Sequence, residues 1–333
     1  MQAIEASIFV DAGPDRLESR LAMSKELISV GTAVGDVEAV WVGHGQLEQL
    51  LLETGDYPAS TAELERLARV ADEVRSPAAA WSLGFRRAAR AAMAGALDEA
   101  ERIAVRTYEL GQQHGVHGSW LRGALAQLIG MVRHEQGRIE EFEALMSASA
   151  EAFAAIPSAR AMLAMLYAET DRAEQAEEQL KRLTVGGALA LPLDQLWAGG
   201  MTMLSVAVAL LGDTDRAGAL YGILVPYEER VASVGGAHVG PLHRPLGLLA
   251  AALGRHTEAD RHFAAAVRTC DQMDAPGWLA RVRCEWGNAL LQRGGDGDRD
   301  RGRALLADGL VAAEQIGMAR VAAAARGLLA VPN

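Results

Sequence analysis

Seven tight turns recur along this chain at nearly even spacing, and that recurrence limits the fold more than any other feature. Gly55, Gly95, Gly137, Asp171, Gly212, Gly254 and Gly294 are separated by 40, 42, 34, 41, 42 and 40 positions. A period between roughly 20 and 50 residues marks stacked supersecondary units, none of which buries its apolar face alone. Five, nine and twelve positions after the middle five turns lie Ala100, Ala104 and Thr107; Phe142, Met146 and Ser149; Ala176, Leu180 and Leu183; Ala217, Tyr221 and Leu224; Ala259, Phe263 and Ala266. Steps of four and three residues return to one side of an α-helix, so each triplet shares a face, apolar at its first two positions and tolerating a small hydroxyl, Thr107 or Ser149, at the third. After Gly55 the triplet is Ser60, Leu64 and Leu67, with one polar member. After Gly294 the register breaks at Arg299, and the run Gly294-Gly295-Asp296-Gly297 reads as a loop insertion.

A second register precedes the turns. Seven positions before each one stands a small residue: Ala88, Gly130, Ala164, Ser205, Gly247 and Gly287, with Glu48 the exception. Glycine inside a helix costs about 0.5–1 kcal/mol relative to alanine, so its recurrence at one repeat position calls for a compensating close approach of a second helix. The unit is therefore a first helix with a small contact point, a tight turn, and a second helix facing it.

The stretch Trp286-Gly287-Asn288-Ala289-Leu290-Leu291-Gln292-Arg293-Gly294 resembles the first helix and turn of a tetratricopeptide repeat, and Gly254, Ala259, Phe263 and Ala266 match the turn and second helix. The resemblance spans nearly the whole chain, with units longer than the usual thirty-four residues. The long units are similar to the helical sensor regions of bacterial ATP-dependent regulators, of LuxR type or fused to nucleotide cyclases. The segments Leu224-Val225-Pro226-Tyr227, Val234-Gly235-Gly236 and Leu246 through Arg255 carry this likeness. It implies an all-α, right-handed superhelix (an α-solenoid) of helix pairs repeating about every 40 residues, without a sheet. A capping helix over 14–34, seven pairs over 36–317 and a terminal helix over 318–331 are expected, about fifteen or sixteen helices in one domain. Breakers between pairs are Gly35-Asp36, Ser76-Pro77, His114-Gly115, Pro157, Pro192, Gly240-Pro241, Pro276-Gly277 and Gly317; proline suits a first helical turn and glycine a helix end.

Composition excludes some partners. With 32 basic and 43 acidic residues the net charge is −11, and no long Lys/Arg cluster occurs, so direct nucleic-acid binding is not expected. No apolar run reaches the roughly 18–20 residues of a membrane span, and no signal segment opens the chain. The two cysteines, Cys270 and Cys284, fit a reduced, cytoplasmic setting better than a disulfide between them.

Catalytic motifs are missing. No Gly-x-x-x-x-Gly-Lys-Ser/Thr loop exists, so the ATPase engine of the resembling regulators is absent, and the chain is expected to be either their sensor portion or a stand-alone relative. His114 and His117 have a metal-compatible spacing, but glycines flank them and no third ligand is near, so no metal or cofactor is expected. His238 and His243 lie in the irregular Ser233–Pro245 stretch, where they are candidates for an acid–base pair or for ligand contacts in a pocket. No partner carboxylate is close in sequence, so a polar loop is the competing reading. All six tryptophans fall on first helices, where packing between repeats accounts for them.

In tetratricopeptide arrays the first helices line the concave face. The matching positions here are Val42, Phe85, Gln127, Met131, His134, Met165, Thr202, Arg244, Arg281, Cys284 and Asn288. This mostly apolar lining with a few polar points suits a small organic effector or a peptide or protein segment. Arg244 and Arg281 are placed to grip an acidic group, unless they are solvated or paired with carboxylates of the repeats. The leading functional reading is a regulatory, ligand- or protein-binding sensor or scaffold. An enzyme or ligand-sequestering protein built in the lumen is the alternative, and a homodimeric scaffold a third option.

Overall fold

In the computed structural model, residues 13–331 are described apart from 115–118, 153–156, 187, 190 and 235–236. Sixteen α-helices account for most of them. The first, α1 (Leu17–Val34), follows a short 3-10 turn at Pro14–Arg16, and seven antiparallel pairs come after it. These are α2 (Val37–Glu53) with α3 (Tyr57–Val74), α4 (Pro77–Met93) with α5 (Leu97–Gln113), and α6 (Ser119–Glu135) with α7 (Ile139–Ala152). Next come α8 (Ser158–Glu169) with α9 (Ala173–Arg182), α10 (Trp197–Leu211) with α11 (Thr214–Leu224), and α12 (His243–Ala252) with α13 (His256–Gln272). The last pair is α14 (Pro276–Arg293) with α15 (Asp298–Ile316), and α16 (Ala319–Ala330) closes the series.

All seven periodic turn residues adopt a left-handed backbone, from φ 57° at Asp171 to 82° at Gly137. A helix ended this way redirects the chain within one residue, which is why the pairs are tight. Asp171 shows that an aspartate tolerates the conformation where glycine is missing. The loop read at Gly294–Gly297 is present, and it delays α15 until Asp298. Asp36, Asp56, Ser76 and Asp213 cap their helices by accepting from the backbone N–H three residues on, each cap contributing about 1 kcal/mol.

The small-residue register marks helix crossings. A Cβ added to Gly247 would lie 2.9 Å from the Phe263 ring, and one added to Gly287 would lie 2.7 Å from the Gly302 carbonyl oxygen. Glu48, the exception in that register, is buried and meets the exception in the apolar register. The Ser60 hydroxyl donates to the Glu48 carbonyl at 2.7 Å, and Arg90 donates to the Glu48 carboxylate at 2.6 Å.

The expectation of no sheet is corrected. Two short antiparallel hairpins occur: β1 (Thr184–Val185) with β2 (Ala188–Leu189), and β3 (Val231–Val234) with β4 (Ala237–Pro241). The second is the irregular stretch seen in the sequence. Its β-branched residues favour extended backbone, and Pro241 sits at its end, where no ladder bond is needed. A bulge between Ala232 and Ser233 bends it. The hairpin packs against α2, α4, α6 and α10, the first helices of four pairs, and against the second helix α13, and so fills the concave side. Ala232 and Val239 enter the main apolar core with Leu204, Leu246 and Phe263. The C-terminal helices complete the filling, α14 against α4 and α16 against α6. Tyr227, in the turn before β3, donates its hydroxyl to Asp15 just before α1.

Candidate functional site

The residues expected to line the concave face separate into three groups. Met131, Met165, Thr202, Arg244 and Arg281 converge on one cavity, bounded also by His134, Glu135, Glu169, Val239 and Trp278. His238 lies in an adjoining cavity that shares Met131, Glu135 and Trp278 with the first. The other candidates, Val42, Phe85, Gln127, His243, Cys284 and Asn288, line neither. Phe85 is stacked on Trp81 at 5.6 Å between ring centres, in a core with Leu125 and Leu128. Gln127 is buried and donates to the Ser158 hydroxyl at 3.0 Å, tying α6 to α8. His243 contacts His262 at the start of α12, and Asn288 is half-buried on α14. Of the metal-compatible pair, His114 is exposed and His117 lies outside the described residues.

The two arginines are held by carboxylates. Arg244 donates to both oxygens of Glu285 at 2.8 and 2.6 Å, with its guanidinium 5.5 Å from the centre of the Trp278 ring. Arg281 donates to both oxygens of Glu135 at 2.5 and 2.7 Å and approaches Glu169 at 3.4 Å. His134 Nε2 stands 2.6 Å from Glu169, and Arg320 on α16 reaches the same carboxylate at 3.1 Å. Five ionisable groups from α6, α8, α14 and α16 therefore form one largely buried network across the lumen. Each carboxylate in it is paired with cations, which explains how it is tolerated, because an unpaired buried charge would be far costlier. The buried Nε of Arg281 has no hydrogen-bond partner among the described residues.

Protonation follows from this network. Burial works against ionising Glu135, yet Arg281 and His134 outweigh it and hold the carboxyl at about 2. Burial likewise opposes ionisation of Glu169, but His134, Arg281 and Arg320 drive it far below the usual range. Burial would lower His134, but Glu169 and Glu135 raise it above its ordinary value. His238 moves the other way: burial first, then Arg90 and Arg86, push it down to about 3, so it is neutral at pH 7. The carboxylates are thus fixed as anions, which suits ion pairing and makes them weak general bases.

Each cavity is small, about 30 Å³ beside Arg281 and about 40 Å³ beside His238. A water needs roughly 10–15 Å³ on this measure, so a few waters or one small group fit without rearrangement. The tryptophans pack as the repeat suggests: Trp197 is edge-on to Tyr227 at 5.2 Å, and Trp286 lies parallel to Phe263 at 6.2 Å. Both cysteines are buried free thiols, and burial pushes Cys270 up to about 12. No helix among the described residues is long and apolar enough to cross a membrane.

No known family model matches the chain, and no curated protein does. Among solved structures, a Rap protein complexed with Competence and Sporulation Factor is similar with a TM-score of 0.51 and 8% identity, over 94% of this chain and 92% of that one. The tetratricopeptide-repeat domain of P58(IPK) aligns over 94% of this chain and 98% of that one at 14% identity, with a TM-score of 0.26 that carries no weight. The turns, the small-residue crossings and the Rap likeness agree on the architecture: the chain is an all-α solenoid of tetratricopeptide-like helix pairs.

Proposed function

We propose that this chain is a binding module that receives a protein or peptide segment on its concave side, beneath the β3–β4 hairpin. The observation that carries the reading is the convergence of Met131, Met165, Thr202, Arg244 and Arg281 on one cavity. Thioether and indole surfaces adapt to varied apolar groups, while Arg281, with its unpaired Nε, offers a hydrogen bond for a carbonyl or carboxylate. Because the cavity is small, an occupant of peptide size must displace the hairpin or part of the ion network. The fold's likeness to a Rap protein solved with a bound factor supports the reading by analogy only. A sensor role, as in the LuxR-type and cyclase-fused regulators that the repeats resemble, is the regulatory form of the same proposal. A small acidic effector gripped by the arginines is less favoured, since it must first compete with Glu135 and Glu285.

Ionisable residues converging on a closed pocket also bear on the enzyme alternative. Here the carboxylates are committed to cations and held ionised at neutral pH, so none is poised to exchange a proton. A homodimer has weaker support: the exposed apolar residues Val34, Leu210 and Val311 lie on α1, α10 and α15, and Leu193 in the loop before α10.

The test is selection of binders from a random peptide library against the full chain. Binding is then measured to the wild type and to Met131→Trp, which fills the cavity with apolar volume. Binders that lose affinity for Met131→Trp, with the fold of that variant checked by circular dichroism, support the proposal. Binders indifferent to that substitution place the site elsewhere.

A further inference from the structure

Away from the concave cavities, three elements bring ligating atoms together at the start of α12. Glu228 follows the 3-10 turn Val225–Tyr227 that extends α11, His243 opens α12, and His262 lies on α13. The two Nδ1 atoms stand 3.1 Å apart, and a Glu228 carboxylate oxygen lies 3.7 Å from His262 Nδ1. One donor atom from each residue falls within 4.8 Å of the other two. Both imidazoles are buried, whereas Glu228 is a quarter exposed at the edge of the cluster.

The outer nitrogens decide what the cluster can hold. A divalent ion between the rings needs a lone pair on each Nδ1, and therefore an N–H on each Nε2. Each Nε2 then needs an acceptor. His262 Nε2 has the Tyr221 hydroxyl at 3.0 Å, and His243 Nε2 has the Glu229 carboxylate at 3.5 Å. Such outer contacts fix the tautomer and orientation of ligating histidines. Metal–nitrogen bonds of about 2.0–2.1 Å in a tetrahedral site put neighbouring ligand atoms roughly 3.4 Å apart, close to the separation of the two rings. Glu228, on the exposed side, completes the triangle by a small side-chain movement.

We propose that Glu228, His243 and His262 form a site for a divalent transition-metal ion of borderline softness, Zn²⁺ foremost, with water completing the coordination. Two imidazoles disfavour Mg²⁺ and Ca²⁺, which take oxygen ligands, and the lack of a thiolate disfavours Cu⁺. Arg261 is the competing cation. Its guanidinium donates to Glu228 at 2.9 Å and to His262 Nε2 at 3.0 Å, which favours the non-ligating tautomer of His262, so at half exposure it turns outward as the metal enters. The three ligands lie at positions 228, 243 and 262, a spacing that follows no short metal motif. The site is independent of the concave pocket, so either proposal can fail without the other.

The test is titration of the chelator-treated full chain with Co²⁺, followed by displacement with Zn²⁺. The expected result is one Co²⁺ per chain with visible ligand-field absorption, bleached by Zn²⁺ and unaffected by Mg²⁺, together with a higher Tm in Zn²⁺. His243→Ala should abolish the cobalt spectrum, and Glu228→Gln should weaken binding by about tenfold or more. Glu228 is the more exposed ligand, so that variant keeps the test valid if the histidine variant fails to fold, as checked by circular dichroism. Absence of stoichiometric Co²⁺ binding at ~0.1 mM metal, or a spectrum unchanged in Glu228→Gln, overturns the proposal.

Discussion

Arg281 on α14 grips both carboxylate oxygens of Glu135 on α6, although 146 positions separate them in the chain. An extended array would keep these helices apart. Here the last pair comes back onto the third, and the contact fixes how much of the concave face remains open. Truncating Arg281 to methionine keeps the apolar stem but strands Glu135 as a buried anion. A loss of about 3–5 kcal/mol is expected, read as a fall in the urea midpoint. The Arg281→Met/Glu135→Gln double variant should recover part of that loss, and additive losses would show that the pair is not coupled.

The same network sets a pH dependence with a definite sign. Glu135 is held at about 2 against an ordinary 4.5, so the unfolded chain takes up its proton first as the pH falls. The stabilisation, on the order of 3 kcal/mol for a shift of this size, is complete above about pH 4.5 and lost progressively towards pH 2. His134 has the opposite sign. Its folded value is raised above 6.5, so its contribution is complete below that value and lost as the pH rises through the raised one. Urea midpoints against pH should decline on both flanks, and His134→Gln should flatten the alkaline flank. An unchanged alkaline flank in that variant would rule out the assigned role of His134.

At Ser60 the repeat pattern and the structure predict opposite outcomes. The pattern favours an apolar residue there, so leucine would look like a repair. The structure places the hydroxyl on Glu48 with Arg90 beside it. Ser60→Leu should therefore destabilise by about 1–3 kcal/mol through overpacking and a lost buried hydrogen bond. A raised Tm would contradict this.

Gly247 is expected to tolerate no side chain. An added Cβ meets the Phe263 ring at 2.9 Å, and Phe263 is fully buried in the main core. Gly247→Leu should cost about 1–3 kcal/mol, and an unchanged denaturation midpoint would show that α12 and α13 separate freely there.

The turns were legible in the sequence because each is a local event: a left-handed residue ends a helix whatever surrounds it. The small-residue crossings were legible too, since they join helices adjacent in the chain. The closure was not. Arg281 meets Glu135, and Arg320 meets Glu169, across more than a hundred residues, and no local periodicity encodes such a pairing. The hairpin was visible only as a departure from helix, because Gly235, Gly236, Gly240 and Pro241 mark an irregular segment without saying that it folds into the lumen. For the same reason Met131, Met165, Thr202, Arg244 and Arg281 could be placed together by repeat position, whereas Phe85 and Gln127, at equivalent positions, are occupied by packing and by Ser158.

The measurement that bears most directly on the proposed concave binding site is a methionine-methyl NMR titration of the full chain with a peptide selected from the library. Met131, Met165 and Met203 border the cavity, whereas Met23 lies on α1 and Met146 on α7. The account predicts saturable shifts of the first three methyl signals, with Met23 and Met146 unmoved. Shifts confined to Met23 or Met146, with the cavity methionines unchanged at saturation, would contradict it.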